Sequence, residues 1–279
     1  MIGTRFDKPG EEVELDTIST LPPKDWDREL AAQRMRELGP ELFALQDLMW
    51  GSRTHGLLIV LQGRDAAGKD GAVKNVVGYF NPRGVNVISF TVPTQVEREH
   101  DFLWRIHLHT PRKGETAIFN RSHYEDVLVP RVEKQIDKSA CHRRFEDINA
   151  FERTLTDHQC IILKFYLHIS TEEQEVRLLE RETDPEKAWK LSVDDWRNRE
   201  KWLDYRAAYE DAVSHCSTKY APWIVVPADR KWFRDLVIAE HIFDTMRGYR
   251  KEWRSALQSL TERRRAELVN YRAPIDREP

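Results

Sequence analysis

A chain of 279 residues with 40% hydrophobic side chains can bury one sizeable core, and a charged content of 33% points to long, salt-bridged surface helices. The 44 basic and 47 acidic side chains nearly cancel, to a formal charge of −3. General affinity for nucleic acid is therefore excluded, and a polyanion would have to be met by a local basic groove. Cys141, Cys160 and Cys216 are far apart and lack C-x-x-C spacing, which argues against a disulfide framework or zinc site and fits a reducing compartment. The opening MIGTRFDKPGEEVELDT has no signal-peptide core, and no apolar run approaches membrane-spanning length. These features predict a soluble cytoplasmic protein that makes no membrane contact.

In chain order, residues 1–26 are rich in Pro, Gly and acids and read as an extended arm. From Trp26 to about Trp50, Leu30, Met35, Leu38, Leu42, Phe43, Leu45 and Leu48 recur at helical spacing, with a break expected near Gly39 and Pro40. Leu57 to Leu61 reads as a strand. Gly63, Arg64, Asp65, Ala66, Ala67, Gly68 and Lys69 then make a glycine loop that leads into helix-compatible sequence ending near Asn81.

Strand, glycine loop with lysine, helix is the order that a phosphate cradle requires. Loop N–H groups turn toward an anion, the helix N-terminus adds partial positive charge, and the lysine adds a full one. The loop matches G-x-x-x-x-G-K-[ST] except at its last position, where Asp70, followed by Gly71, replaces the hydroxyl residue that normally holds magnesium. Asp65 offers a carboxylate close to where that ligand is lost.

Val85 to Phe90 reads as a second strand, and Glu97 to His109 as a helix. Its His100, His107 and His109 include no i, i+4 pair, so ordinary histidines are expected there and not metal ligands. Thr116 to Phe119 reads as a short buried strand ending at Asn120, where phosphate-loop enzymes commonly carry an acid that reaches magnesium. Arg121 is a natural phosphate clamp, and Ser122 with Glu125 fits a capping box.

Cys160 to Ile169 is the longest strand signal and should lie centrally. Lys164 inside it must sit at an edge or pair with an anion. Thr171 to Gln174 reads as a capping-box helix start. From Arg181 to Tyr209 basic and aromatic residues alternate. Trp196, Trp202, Tyr205 and Tyr209 are expected in a core or interface, and Arg181, Lys187, Lys190, Arg197 or Arg199 in a mobile lid over phosphates. Acids balance these cations, which argues against a nucleic-acid surface. Trp223 to Pro227 reads as the last strand, followed by a long helix over about 231–260 and a tail whose Arg263, Arg264 and Arg265 form a solvated face.

Alternating strands and helices opened by a phosphate loop imply an α/β fold with a mostly parallel sheet and helices on both faces. The economical division is one domain over 1–279, with an arm at 1–26, a helical lid at about 183–210 and a tail at 260–279. The chemistry is phosphoryl transfer, with Lys69 on the transferring phosphate, Asp65 on magnesium, and Arg121 with the lid cations over the remaining charge.

GRDAAGKDG, NPRG, DFLWRIH, FNRSHYEDVLVPRV, LKFYLHIS followed by EEQ, and ERETDPEKAWKLS together resemble the polyphosphate kinase 2 family from about Leu42 to Phe243. The resemblance implies a three-layer P-loop kinase fold with a helical lid. It also implies reversible, magnesium-dependent transfer (manganese as an alternative) between inorganic polyphosphate and purine nucleotides, in homodimers or homotetramers. Asp65, Lys69 and Arg121 become the expected catalytic residues, with Asp65 the metal ligand. Gly63, Ala66, Ala67, Gly68, Lys69, Asp70, Gly71, Lys74, Arg105, Arg181 and Lys187 become the expected phosphate and polyphosphate contacts. Arg83, Asn120, Glu125, Asp126 and Arg131 are expected at the nucleotide, while Lys164 is a further candidate for a cationic track. Asn120, where many members carry Asp, followed by His123, Glu125 and Asp126, is similar to members that phosphorylate both nucleoside mono- and diphosphates. The alternatives are an ATP-dependent kinase of a small acceptor and a catalytically silent binder of nucleotide or polyphosphate.

Overall fold

A computed structural model describes residues 2–275. Strands β1 (Thr4–Phe6), β2 (Gly56–Gly63), β3 (Val85–Ser89), β4 (Thr116–Asn120), β5 (Cys160–His168) and β6 (Trp223–Pro227) form one six-stranded sheet in the order β1-β6-β5-β2-β4-β3. All pairings are parallel except that of β1 with β6. β2 and β5 are buried along their whole lengths, as continuous apolar runs in a parallel sheet should be.

Side-chain alternation assigns the two faces. Leu57, Ile59 and Leu61 of β2 with Leu163 and Phe165 of β5 pack toward α1 (Arg28–Ser52) and α10 (Lys231–Ile275). Leu58, Val60, Ile162 and Tyr166 point to the opposite core. That core is closed by α5 (Glu125–Val132), α6 (Lys138–Asp157) and α9 (Trp202–Cys216). The chain leaves β2 toward β3 on one side and reaches β5 on the other, so β2 marks a topological switch whose carboxyl end opens a crevice.

Several expectations are corrected. The helix at Gly39 and Pro40 does not break: α1 runs through both, because Leu38, Leu42, Leu45 and Met49 bury one stripe against α10. The N-terminal arm is not merely extended. Its Thr4–Phe6 adds a strand to the sheet edge, and Thr20 Oγ1 donates to Asp229 at 2.7 Å. The expected helix over 97–109 is two four-residue turns, α3 (Gln95–Arg98) and α4 (Trp104–His107), because Asp101 Oδ1 accepts from the Leu103 N–H and interrupts the ladder.

The helix α7 (Thr171–Thr183) is capped one residue earlier than expected, by Ser170, whose Oγ accepts from Glu173 N at 3.1 Å. The tail from 260 is not separate: α10 continues over 45 residues to Ile275, and the remaining expectation for 276–279 lies outside the described residues. The three cysteines are buried free thiols, and no helix among the described residues is long and apolar enough to cross a membrane.

Trp253 anchors α10, fully buried, and its indole Nε1 donates to His55 Nδ1 at 3.1 Å. Trp253→Ala should therefore cost about 3–5 kcal/mol, read as a lower midpoint in urea unfolding, with anion binding at the glycine loop preserved once the variant is folded.

Candidate active site

The loop after β2 is set by backbone conformations that few side chains accept. Ala66 has φ 61° and Gly68 φ 100°. A Cβ on Gly68 would lie 1.9 Å from Arg234 Nη1, so glycine is required there by both torsion and space. Lys69 opens α2 (Lys69–Ala72), and its ammonium curls back onto the carbonyls of Gly63 at 2.7 Å and Arg64 at 3.2 Å. Burial, reinforced by the charge of Arg121, pushes Lys69 down to about 8.

Arg177 of α7 straps the loop from outside. Its guanidinium donates to the carbonyls of Ala66 (3.0 Å), Ala67 (3.2 Å), Ala228 (2.7 Å) and Asp229 (2.9 Å). Gln174 Nε2 adds a bond to the Asp65 carbonyl at 2.9 Å. The loop is thus held from outside by two side chains of α7, which fix its backbone through its own carbonyls.

Asp65 and Arg121 meet at the centre. β4 delivers Arg121 at φ 62°, its Nη2 2.7 Å from Asp65 Oδ1 and its Nη1 3.3 Å from Glu125 Oε2. Asn198, on α8 (Val193–Glu200), donates to Asp65 Oδ2 at 3.0 Å. Burial pushes the Asp65 carboxyl up, but the charges of Lys69 and Arg121 and hydrogen bonds from Asn198 and Arg121 outweigh it. The net effect holds Asp65 below the usual carboxylate range. Asp70 is held low in the same way: the hydrogen bonds from Lys190 (2.8 Å) and Asn120 (2.8 Å) overcome its partial burial.

Two clefts open on either side of the Asp65–Arg121 pair. The first, about 540 Å³, is lined by eight basic side chains against four acidic ones, among the latter Asp65 and Asp70. It collects Ala66, Gly68, Lys69, Asp70, Gly71, Asn120, Arg121, Arg181 and Lys187 from the sequence-derived set. The second, about 1030 Å³, has six basic and six acidic side chains interleaved with Phe90, Val92, Pro93, Val129, Pro130 and Tyr205. Here Arg105 donates to the Thr91 carbonyl at 2.8 Å and faces Asp126 at 3.4 Å, and burial raises the Asp126 carboxyl. Glu125 lines this cleft with Arg121.

Other expected residues lie elsewhere. Lys74 and Arg83 are exposed and line neither cleft, and Arg131 pairs with Asp211 at 2.5 Å. Gly63 ends β2 and lines neither, while the Ala67 N–H is turned inward onto the Arg64 carbonyl at 3.1 Å. Lys164 is excluded from any groove by complete burial against Glu152. The Ser122–Glu125 capping box does not form, because Glu125 spends its carboxylate on Arg121 and Ser122 Oγ accepts from Tyr124 N at 3.2 Å.

Sequence reasoning missed Arg177, Asn198, Lys231 and Arg234, which reach the site from 112 to 169 residues past Asp65. Only tertiary structure brings them in, and no local spacing signals them. It also missed Arg64, whose guanidinium stacks 3.6 Å from the Trp202 ring at the start of α9.

Comparison with known proteins places this geometry in context. The family model described as polyphosphate kinase 2 matches residues 25–254. The AMP/ADP-polyphosphate phosphotransferase of Meiothermus ruber is 45% identical over 79% of this chain and 83% of its own length. The ADP-polyphosphate phosphotransferase of Rhodopseudomonas palustris is 37% identical, with 95% of each chain covered. Among solved structures, polyphosphate kinase 2 from Arthrobacter aurescens TC1 superposes with a TM-score of 0.83 at 35% identity, covering 89% of this chain and 92% of that one.

Gly68→Ala should be strongly damaging, since the methyl group meets Arg234 and the torsion disfavours any Cβ. The expected result is a loss of about 1–3 kcal/mol in stability from strain and a weakening of phosphate binding by at least tenfold, measured by denaturation and by calorimetric titration.

Proposed function

The chain belongs to the polyphosphate kinase 2 family, and from that membership we propose that it transfers phosphoryl groups reversibly between inorganic polyphosphate and purine nucleotides, accepting both mono- and diphosphates. The observation that carries this reading is the pair of clefts sharing the Asp65–Arg121 wall. A polymer of identical anionic units needs a track of cations and little else, which suits the first cleft. A nucleotide brings a base, a sugar and a shorter anionic tail, which suits the larger second cleft with its apolar and aromatic lining and balanced charge. The acceptor range is supported by the grouping of Asn120, Glu125 and Asp126 and by the Meiothermus ruber relative, an AMP/ADP-polyphosphate phosphotransferase.

Family membership brings with it a divalent metal, which we assign as magnesium. Among the described residues no three His, Cys, Asp or Glu side chains gather as a metal cluster. That fits magnesium, which is held in phosphoryl-transfer sites by one or two carboxylates and the substrate phosphates themselves. Asp65, kept ionised at the junction of the clefts, is the residue that would hold it, and Asn120 leaves the neighbouring position uncharged. When bound, the ion neutralises phosphate charge.

The protein's own part is placement. Lys69 exchanges the Gly63 and Arg64 carbonyls for oxygens of the transferred group, and the planar fork of Arg121 spans the space between donor and acceptor. Arg181, Lys187 and Lys190 stand on the segment that covers the first cleft and serve as a lid. The buried free thiols support a cytoplasmic location.

ATP formation from ADP with polyphosphate as sole donor tests the reading. Equal background in wild type and Lys69→Ala would leave a silent binder, and turnover only with ATP as donor would leave an ordinary kinase. Asp65→Asn should lose at least a hundredfold in kcat, because it removes the charge that would hold the metal and that pairs with Arg121 while keeping the side-chain volume. Near-wild-type turnover would overturn the assignment of Asp65.

The pH dependence follows from Lys69. Its pKa in the unliganded protein is depressed to about 8, and phosphate oxygens favour its protonated form. Polyphosphate affinity should therefore be level below pH 8 and fall above it, approaching tenfold per pH unit, with proton uptake on binding in alkaline buffer. Calorimetry in buffers of different ionisation enthalpy measures both, and a flat profile from pH 7 to 9.5 would contradict it.

A further inference from the structure

Beneath the turn that carries Arg121 lies a cluster of buried polar side chains that the phosphate chemistry does not use. Lys164 stands in the middle of β5, in register with Val60 of β2, and is fully buried. Its Nζ donates to Glu152 Oε2 at 2.6 Å, to the Tyr124 hydroxyl at 2.8 Å and to the Cys216 carbonyl at 2.7 Å. Glu152, also fully buried, accepts through Oε1 from the Tyr124 hydroxyl at 2.8 Å and from His123 Nε2 at 3.2 Å. Burial disfavours the charged form of His123, which leaves Lys164 and Glu152 as the ion pair of the cluster.

An ion pair in the centre of a sheet is a poor device for stability, since desolvation offsets most of the attraction and apolar side chains often do as well. Its partners suggest another role. His123 and Tyr124 follow Arg121 in the same turn, one residue on across Ser122, and the φ of 62° at Arg121 is held by its surroundings and is not an intrinsic preference. Cys216 is the last residue of α9, and the first residues of that helix bring Trp202 onto Arg64 and Tyr205 beside Asn198. The cluster therefore ties the turn bearing Arg121 to the helix on which the lid is mounted, with α6 and β5 as the fixed frame.

We propose that Lys164 and Glu152 are positioning residues for phosphoryl transfer, holding Tyr124, His123 and the end of α9 in one network so that the Arg121 guanidinium stays on Asp65. This rests on the transfer reading above. The network acts on Arg121 through the backbone of its turn and touches no substrate.

The test uses Lys164→Met, the double variant Lys164→Met with Glu152→Gln, and Tyr124→Phe, beside wild type. Lys164→Met strands the Glu152 charge and should lower the unfolding midpoint sharply, and the double variant should recover most of that loss. If the cluster positions Arg121, kcat in the double variant stays at least tenfold below wild type, with KM for polyphosphate within about twofold. Recovery of kcat together with the midpoint would overturn the proposal. Should the double variant fail to fold, Tyr124→Phe decides: a fall in kcat of fivefold or more at an unchanged midpoint supports positioning, and wild-type kcat overturns it.

Hydrogen exchange supplies an arm that needs no activity. Amides of 121–125 should exchange faster in Tyr124→Phe than in wild type while those of β2 do not change, and unchanged exchange at 121–125 counts against the network. Absence of transfer by wild type would instead refute the transfer reading, leaving this arm to judge the network alone.

Discussion

The ion pair between Asp65 and Arg121 is the contact around which the site is arranged. Each partner is delivered by the carboxyl end of a neighbouring parallel strand, and each is held from behind: Asp65 by Gln174 and Asn198, Arg121 by Glu125 and the backbone of β2. Parallel register between β2 and β4 sets Leu61 opposite Asn120, so the segments that carry Asp65 and Arg121 leave the sheet side by side. A carboxylate kept ionised beside a delocalised cation is stable without ligand. It is also ready to trade partners when phosphate and metal arrive.

Charge distribution then does the sorting. With a nearly neutral surface overall, the excess of cations is concentrated in the first cleft, where the loop, α7, α10 and the lid segment each contribute. Several of these cations are paired locally, Arg181 with Asp195 and Lys190 with Asp70, so the groove does not carry strongly repelling charge. Asp70, which takes the place of a hydroxyl residue, links the loop to the lid through Lys190 and to β4 through Asn120. The departure from the usual loop pattern is thus also the point where the loop, the lid segment and β4 meet.

Much of this was legible in the sequence because it is local. The order of strand, glycine loop, lysine and helix, the continuous apolar run of β5, and the anion partner required by Lys164 all follow from short spacings. What was not legible depends on long-range closure. Thr4–Phe6 looks like any polar arm until β6 offers it an edge, and Pro40 looks like a helix breaker until α10 covers the stripe around it. Arg177 and Arg234 resemble other surface arginines in a highly charged chain. Only the fold reveals that one straps the loop and the other occupies the space a Gly68 side chain would need. Arg83 and Arg131 lie outside both clefts, although each stands beside a motif in the sequence.

α10 carries a consequence of its own. Its first half is embedded in the core, down to Trp253, whereas Glu262 to Arg272 are exposed. Starting a helix from coil is unfavourable, while lengthening one already formed is nearly neutral per residue. The embedded turns therefore act as a permanent seed, and the outer turns persist by growth from that seed with no tertiary contact to hold them. At about 1.5 Å per residue, this lets the fold extend a rod well past its own sheet without building any further core to support it.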